Sequence, residues 1–129
     1  MKYIKANLSD LIGKTLTKID ISGNKETMTF HTRGGKEYRF YHNQDCCESV
    51  TMDNICGNIE DLIGSPILRA EKSTNTEENP PNYKSNYSQK YFTWTFYKFA
   101  TRKGYVDIRW YEESNGYYGE EVEFKEVIH

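Results

Sequence analysis

Apolar and polar residues alternate most regularly between residues 91 and 111. In residues 91–100 aromatic side chains fall on both faces of an extended strand, with Phe92, Trp94 and Phe96 on one face and Tyr97 and Phe99 on the other. A strand that is apolar on both faces is typical of the middle of a sheet. In residues 104–111 the two faces differ, with Val106, Ile108 and Trp110 on one and Tyr105, Asp107, Arg109 and Tyr111 on the other. We therefore predict two adjacent strands, of which the first is central.

Shorter stretches of alternation predict further strands at 15–22, 27–32, 37–42, 49–55, 66–72 and 118–127. The glycine-containing segments 33–36 and 101–104 each separate two predicted strands, as hairpin turns do. Antiparallel pairing of neighbours should therefore dominate the sheet.

Three short motifs occur twice in the same order. Asp10-Leu11-Ile12-Gly13 returns at 61–64, each time after a polar residue that can cap a short helix. The segments 32–35 and 39–41 have counterparts at 101–104 and 109–111. We interpret the chain as two half-repeats, about 9–55 and 60–127, each with a short helix, an antiparallel meander and a returning strand.

These patterns predict an α+β fold, mainly antiparallel sheet with two short helices, in internally duplicated pseudo-twofold halves. Because such halves usually share one core, residues 1–129 are treated as a single domain. The spacing between the repeats grows across residues 74–90, which contain Pro80-Pro81 and almost no aliphatic residues. This insertion is predicted to be a mobile loop.

Composition narrows the classes of function. A length of 129 residues suits one domain, and a net charge of -2 lacks the basic excess that general binding of duplex DNA requires. No apolar run is long enough to cross a membrane, and residues 1–5 lack the features of a secretion signal. The three cysteines, two of them adjacent, are expected to be reduced thiols. The predicted location is the cytoplasm, that of the host cell if a phage encodes the protein.

The chain resembles an uncharacterised family of small proteins from phages and prophages of Gram-positive bacteria. The resemblance rests on residues 40–50 (FYHNQDCCESV), on 61–66 (DLIGSP), and on the aromatic segments 92–97 and 109–118. It covers roughly residues 36–72 and 91–126. The family carries no activity that can be transferred, so the resemblance implies a context. Small phage proteins of this kind often disarm host systems by binding a nuclease, an effector or a nucleotide signal.

Catalytic and metal sites are not indicated. His42, Asp45, Cys46, Cys47 and Cys56 offer zinc-ligand chemistry, but the cysteines lack the paired spacing of structural zinc sites. A thiol enzyme would need a second anchored base beside His42. The basic glycine turns at 33–36 and 101–104 are not Walker loops and are interpreted as hairpins. The acidic residues of 112–126 are expected on a solvated strand face. We predict no catalytic residue, no metal and no cofactor.

An arginine and a tyrosine share one strand face in each half. Arg39 and Tyr41 flank one aromatic residue of the predicted core, and Arg109 and Tyr111 flank another. Such a face can stack a base and pair a phosphate, or anchor a protein interface. A cation–π contact within the sheet is the structural alternative.

Two equivalent loops follow these strands, at 42–47 and 112–118, and should lie at the same end of the domain. Their polar side chains can recognise a ligand, although turns select the same residue types. The candidate binding residues in the loops are His42, Asn43, Asp45, Asn115 and Tyr117.

We expect a non-enzymatic binding protein, and the leading hypothesis is a phage-encoded, anti-CRISPR-like inhibitor that occupies a host defence protein. The stretch 107–126, with 7 acidic residues against Arg109 and Lys125, would meet a basic surface on that protein. One alternative is a sponge that sequesters a nucleotide signal. A weaker alternative is a small enzyme acting on nucleotides or nucleic acid. Homo-oligomerisation is left open.

Overall fold

The computed structural model describes residues 2–42, 48–75, 91–114 and 122–129. Within these ranges the chain forms nine β-strands and two single turns of 3₁₀ helix, Leu8–Leu11 and Ile59–Leu62. The strands are β1 (Lys2–Lys5), β2 (Leu16–Ile21), β3 (Met28–Thr32), β4 (Glu37–Tyr41), β5 (Glu48–Cys56), β6 (Arg69–Asn75), β7 (Tyr91–Thr101), β8 (Gly104–Ser114) and β9 (Glu123–Ile128).

The strands form two antiparallel sheets. The first sheet has the order β1-β9-β4-β3-β2, and the second has the order β5-β8-β7-β6. Each half of the chain forms a three-stranded meander, β2 to β4 in the first sheet and β6 to β8 in the second. The strand that follows each meander belongs to the other sheet, so β5 lies in the second sheet and β9 in the first. β9 therefore pairs with β4, and β5 pairs with β8. The predicted dominance of antiparallel sheet is confirmed, as is the central position of β7 between β6 and β8.

The two predicted short helices are single 3₁₀ turns, so the helical part of the α+β assignment was wrong. Each turn spans four residues, and a glycine follows two residues later. Gly13 and Gly64 have φ values of 85° and 88°, in the left-handed region where a helix cannot continue. The repeated tetrapeptide therefore makes a tight corner between strands. In the described ranges, no helix has the length and apolar character that crossing a membrane requires.

One strand that the sequence did not predict, and the start of the predicted insertion, also differ from the sequence-based expectation. β1 was not predicted, because all four of its residues are exposed and show no alternation of burial. Residues 74 and 75, placed in the mobile insertion, belong to β6, where Asn75 pairs with Trp94. The rest of that insertion, 76–90, lies outside the described residues.

The two glycine corners bind each other reciprocally. The amide of Gly13 donates a hydrogen bond to the carbonyl oxygen of Ile67 at 2.8 Å, and the amide of Gly64 donates to that of Leu16 at 2.9 Å. Each acceptor lies three residues beyond the other corner's glycine. The two halves thus use the same local contacts, while their origin by duplication stays a prediction.

Aromatic side chains from both sheets meet in one buried layer. The ring of Phe40 lies 4.8 Å from that of Tyr97, and the ring of Phe30 lies 5.3 Å from that of Phe99, both in edge-to-face geometry. Aromatic residues supply large apolar areas, and this geometry adds a favourable quadrupolar contact. The layer fixes which side of each strand faces inward and which faces outward.

Candidate binding surfaces

The two predicted arginine–tyrosine pairs lie on opposite sides of the molecule. The aromatic residue between the members of each pair is fully buried between the sheets, as alternation predicted. Arg39 and Tyr41 therefore face outward from the first sheet, and Arg109 and Tyr111 face outward from the second. The four side chains belong to two separate surfaces and cannot enclose one ligand.

On the first sheet, Arg39 joins two tyrosines in a group that we call the Tyr3–Arg39–Tyr41 cluster. The guanidinium donates through Nε to the hydroxyl of Thr29 at 2.9 Å and through Nη1 to the hydroxyl of Tyr3 at 2.8 Å. The rings of Tyr3 and Tyr41 are stacked with centroids 4.5 Å apart. Burial raises the pKa of the Tyr41 hydroxyl, and the carboxylate of Glu123 raises it further. Tyr3 remains 38% exposed, so the cluster presents one ring to solvent.

On the second sheet, Arg109 is held by partners within the protein. Its Nε donates to Oδ2 of Asp53 at 2.7 Å, and Nη2 bonds the same oxygen. The guanidinium carbon lies 5.0 Å from the ring centroid of Trp94, which is fully buried and packs 4.6 Å from the ring of Tyr111. The hydroxyl of Tyr111 donates to Glu113 at 2.9 Å. The structural alternative, a cation–π contact within the sheet, therefore describes this pair well.

Glu112 contradicts the expectation that the acidic residues of this region are solvated. Its side chain is fully buried on the inner side of β8. The hydroxyl of Thr95 donates to Oε1 at 2.8 Å, and the amide of Val122 donates to the same oxygen at 3.4 Å. Glu126 is also mostly buried, 3.9 Å from the ammonium of Lys36. The residues 107–126 therefore do not present one continuous acidic surface.

Most loop candidates lie outside the described residues. His42 directly follows β4 and is half-buried, whereas Asn43, Asp45, Asn115 and Tyr117 are not described. The predicted loop 112–118 begins later than expected, because β8 continues to Ser114. Among the residues that the structure describes, no group of three or more histidine, cysteine or acidic side chains could hold a metal ion.

The basic side chains of the second hairpin turn, at 101–104, contact the second glycine corner. Lys103 Nζ donates to the carbonyl oxygen of Ile63 at 2.6 Å, and Arg102 Nε donates to the hydroxyl of Ser65 at 3.3 Å. These cations fasten the second glycine corner to the β7–β8 hairpin. Their role in the described structure is therefore structural.

A cleft opens at the edge of the first sheet where β1 ends. β9 pairs with β1 from Ile128 only as far as Lys125, but with β4 as far as Glu123. Beyond Lys5 the chain turns away and leaves a space of about 360 Å³. Three lysines, one from each of three strands, line this space: Lys5, Lys72 and Lys125.

A family model described as a domain of unknown function, DUF7448, matches residues 9–124. The chain belongs to this family. Neither the curated proteins nor the solved structures contain a significant match. The membership agrees with the resemblance to an uncharacterised family, and it adds no activity.

Sequence reasoning missed one charged group on the first sheet of the DUF7448 chain. His31 Nε2 lies 2.8 Å from Oδ2 of Asp20, and its Nδ1 lies 3.5 Å from Glu37. The hydrogen bond with His31 lowers the pKa of Asp20, and Lys18 lowers it further. Alternation places His31 on the outer face of β3, but its acidic neighbours come from two other strands. Only the strand pairing brings them together.

Proposed function

We propose that this DUF7448 chain is a non-enzymatic binding protein, encoded by a phage, that inhibits a bacterial defence protein by occupying it. The observation that supports this is the Tyr3–Arg39–Tyr41 cluster on the outer face of the first sheet. Tyr3 is exposed and Arg39 is half-buried, so a partner can reach a ring and a cation together. Tyrosine and arginine are enriched at the energetic centres of protein interfaces.

The cluster is ordered before any partner arrives. Two hydrogen bonds fix the guanidinium of Arg39, and stacking on Tyr41 fixes the ring of Tyr3. A side chain that is already immobile loses less conformational entropy on binding. Preorganisation of this kind favours inhibition by simple occupation. The phage origin and the defence target come from the resemblance to phage and prophage proteins, and both are parts of the proposal.

The test is native mass spectrometry of the protein recovered from a lysate of phage-infected Gram-positive bacteria. We expect one bacterial protein at a fixed stoichiometry. Arg39→Gln should weaken this complex by about 2 kcal/mol, or roughly 30-fold, as loss of a hot-spot residue does.

Arg109→Gln is the matched control, because it makes the same substitution at the corresponding strand of the second sheet. The control should bind like the wild type, and thermal unfolding should show both variants folded. A complex that survives Arg39→Gln but is lost in Arg109→Gln would contradict the choice of surface. Recovery without any bacterial protein would contradict the proposed inhibitor.

The second candidate function is sequestration of a nucleotide signal. It is supported by a different observation, the lysine-lined cleft beside β1. In the native mass spectrum, a bound nucleotide would add a small mass to the protein, and no protein partner would be seen.

We also propose that residues 9–55 and 60–127 are duplicated halves. The shared order of elements and the reciprocal bonds of Gly13 and Gly64 support this. An experimental structure in which Arg39 and Arg109 fail to coincide when the two halves are superposed would contradict it.

A further inference from the structure

β2 forms one edge of the first sheet, and most of that edge is open. β3 pairs with β2 on one side, and no described strand pairs with it on the other. The amide of Gly64 occupies the start of this second side, because it donates to the carbonyl oxygen of Leu16. From Thr17 to Ile21, no backbone hydrogen bond forms on this side within the described part of the chain. We call this stretch the open edge of β2.

The backbone of the open edge is oriented for pairing with another strand. The amide of Ser22 donates to the carbonyl oxygen of Thr27 at 3.0 Å, at the end of the β2–β3 ladder. Because the N–H and C=O groups of an antiparallel strand point alternately to its two neighbours, those of Ile19 and Ile21 point away from β3. A row of unpaired backbone groups at a sheet edge is a template for a further strand.

The charged side chains of the open edge match those of a second copy. When two β2 strands are paired antiparallel about Ile19, Lys18 of each copy lies directly opposite Asp20 of the other. Both side chains are exposed, 66% for Lys18 and 49% for Asp20, and they lie 3.4 Å apart within one chain. The pairing therefore brings four charges together in alternating order. Opposite charges directly across a ladder stabilise it.

The inner side of the same pairing is apolar. Ile19 packs partly against the core, and Ile21 is 36% exposed. Pairing about Ile19 places the two Ile19 side chains next to each other and covers part of Ile21. β1, the other edge of this sheet, has two lysines and no carboxylate, so it lacks this match with itself. Charge and apolar contact therefore both favour β2.

We infer that two copies of this chain associate through the open edges of their β2 strands. A twofold axis passes between the two Ile19 residues, and the two five-stranded sheets become one continuous sheet. Because the faces of a sheet continue across an antiparallel ladder, the Tyr3–Arg39–Tyr41 clusters of both copies lie on the same side. The inference goes beyond the proposed function and does not depend on it, since neither Lys18 nor Asp20 belongs to that cluster.

The test is sedimentation equilibrium of the whole protein at concentrations up to about 1 mM, where even weak complexes form. We expect a monomer–dimer equilibrium. Lys18→Asp places carboxylates opposite each other, and Asp20→Lys does the same with ammonium groups, so each variant should weaken dimerisation about tenfold or more. The double variant Lys18→Asp/Asp20→Lys restores opposite charges and should dimerise within about threefold of the wild type. Mixed together, the two single variants should form a heterodimer more tightly than either forms a homodimer.

Lys98→Asp is the control, because it makes the same substitution as Lys18→Asp at an exposed lysine of the second sheet. It should leave dimerisation within about twofold of the wild type, since screening weakens distant charges. Thermal unfolding verifies that all variants fold. A wild type that stays monomeric, or a dimer that the single variants do not weaken, would overturn the interface. Weakening that the double variant does not reverse would overturn the charge matching, since loss of the bond between Asp20 and His31 would then explain it.

Discussion

Glu112 carries a carboxylate into the layer between the two sheets. Burying an ionised group away from water is costly unless hydrogen bonds compensate for the lost hydration. Here Thr95 of β7 and the amide of Val122, just before β9, both donate to it. The carboxylate therefore connects three parts of the chain, β7, β8 and the start of β9.

Replacing Glu112 should show how much its hydrogen bonds with Thr95 and Val122 contribute to stability. Glu112→Ala leaves the Thr95 hydroxyl and the Val122 amide without this acceptor, and each unsatisfied buried donor costs about 1–3 kcal/mol. We expect the free energy of unfolding to fall by about 3 kcal/mol or more in urea titrations. Glu113→Ala is the control, since that half-exposed side chain accepts one hydrogen bond from Tyr111 and should cost at most about 1 kcal/mol. Equal losses would show that burial of Glu112 has no special role.

The pKa of Asp20 should depend on His31. Its pKa is lowered mainly by the hydrogen bond with the imidazole of His31. A lowered pKa in the folded state stabilises the fold above the ordinary carboxyl pKa, and the contribution disappears as the pH falls through the lowered value. His31→Ala should raise the pKa of Asp20 toward its ordinary value.

The titration can be followed by NMR of the Asp20 carboxyl carbon. Lys18→Ala should raise the same pKa by less, because the His31 hydrogen bond is the largest of the lowering contributions. If the titration midpoint of Asp20 is the same in His31→Ala as in the wild type, the His31 hydrogen bond is not the main cause of the lowered pKa.

For single residues of the candidate surfaces, the alternation of apolar and polar positions predicted the direction of the side chain but not its partners. The outward direction of Arg39 and Arg109 follows from the buried aromatic residues beside them. Their partners could not be predicted, because Tyr3 and Asp53 are distant in sequence and become neighbours only through strand pairing.

Strands with a regular apolar face were predicted, whereas elements without one were not. β7 and β8 carry wide aromatic faces and lie in the interior of their sheet. β1 has four exposed residues, and among the described strands it pairs with β9 alone. The glycine corners were predicted as helices, since capping residues and short apolar runs begin helices and 3₁₀ turns alike.

The end of β5 depends on a glycine that passes close to β8. Gly57 has a φ of 104°, and a Cβ atom there would lie 2.5 Å from the carbonyl oxygen of Tyr105. Gly57→Ala should therefore combine backbone strain with a clash and cost about 2–3 kcal/mol. Gly34→Ala is the matched control, because nothing lies near its Cβ position and its φ lies outside the left-handed region.

Thermal unfolding of the two glycine variants tests this prediction. The Gly34 variant should remain within about 0.5 kcal/mol of the wild type, the usual effect of a surface substitution. Wild-type stability in the Gly57 variant would show that β5 can end without the left-handed residue.

At the scale of the whole molecule, the exchange of β5 and β9 joins the two meanders. Neither half can complete its own sheet, since β4 requires β9 and β8 requires β5. A sequence pattern shows which segments are strands and gives no information on this exchange. The fold was therefore predictable as an antiparallel meander in each half, while the arrangement of the two sheets was not.

Separate fragments should reveal this dependence. Residues 1–57 and 58–129, produced as two chains, should each lack cooperative thermal unfolding, because each meander lacks the strand that borders it. Mixed in equal amounts, they should form a one-to-one complex with the circular dichroism spectrum of the intact protein. Cooperative unfolding of either fragment alone would contradict the prediction.

The same exchange imposes an order on synthesis at the ribosome. Translation releases β2, β3 and β4 long before β9, so the hydrogen-bonding edge of β4 waits without a neighbour while the rest of the chain is made. An unpaired strand edge is a template for association with other chains. Until β9 has been made, the nascent chain therefore carries an open strand edge at β4 where other chains can pair.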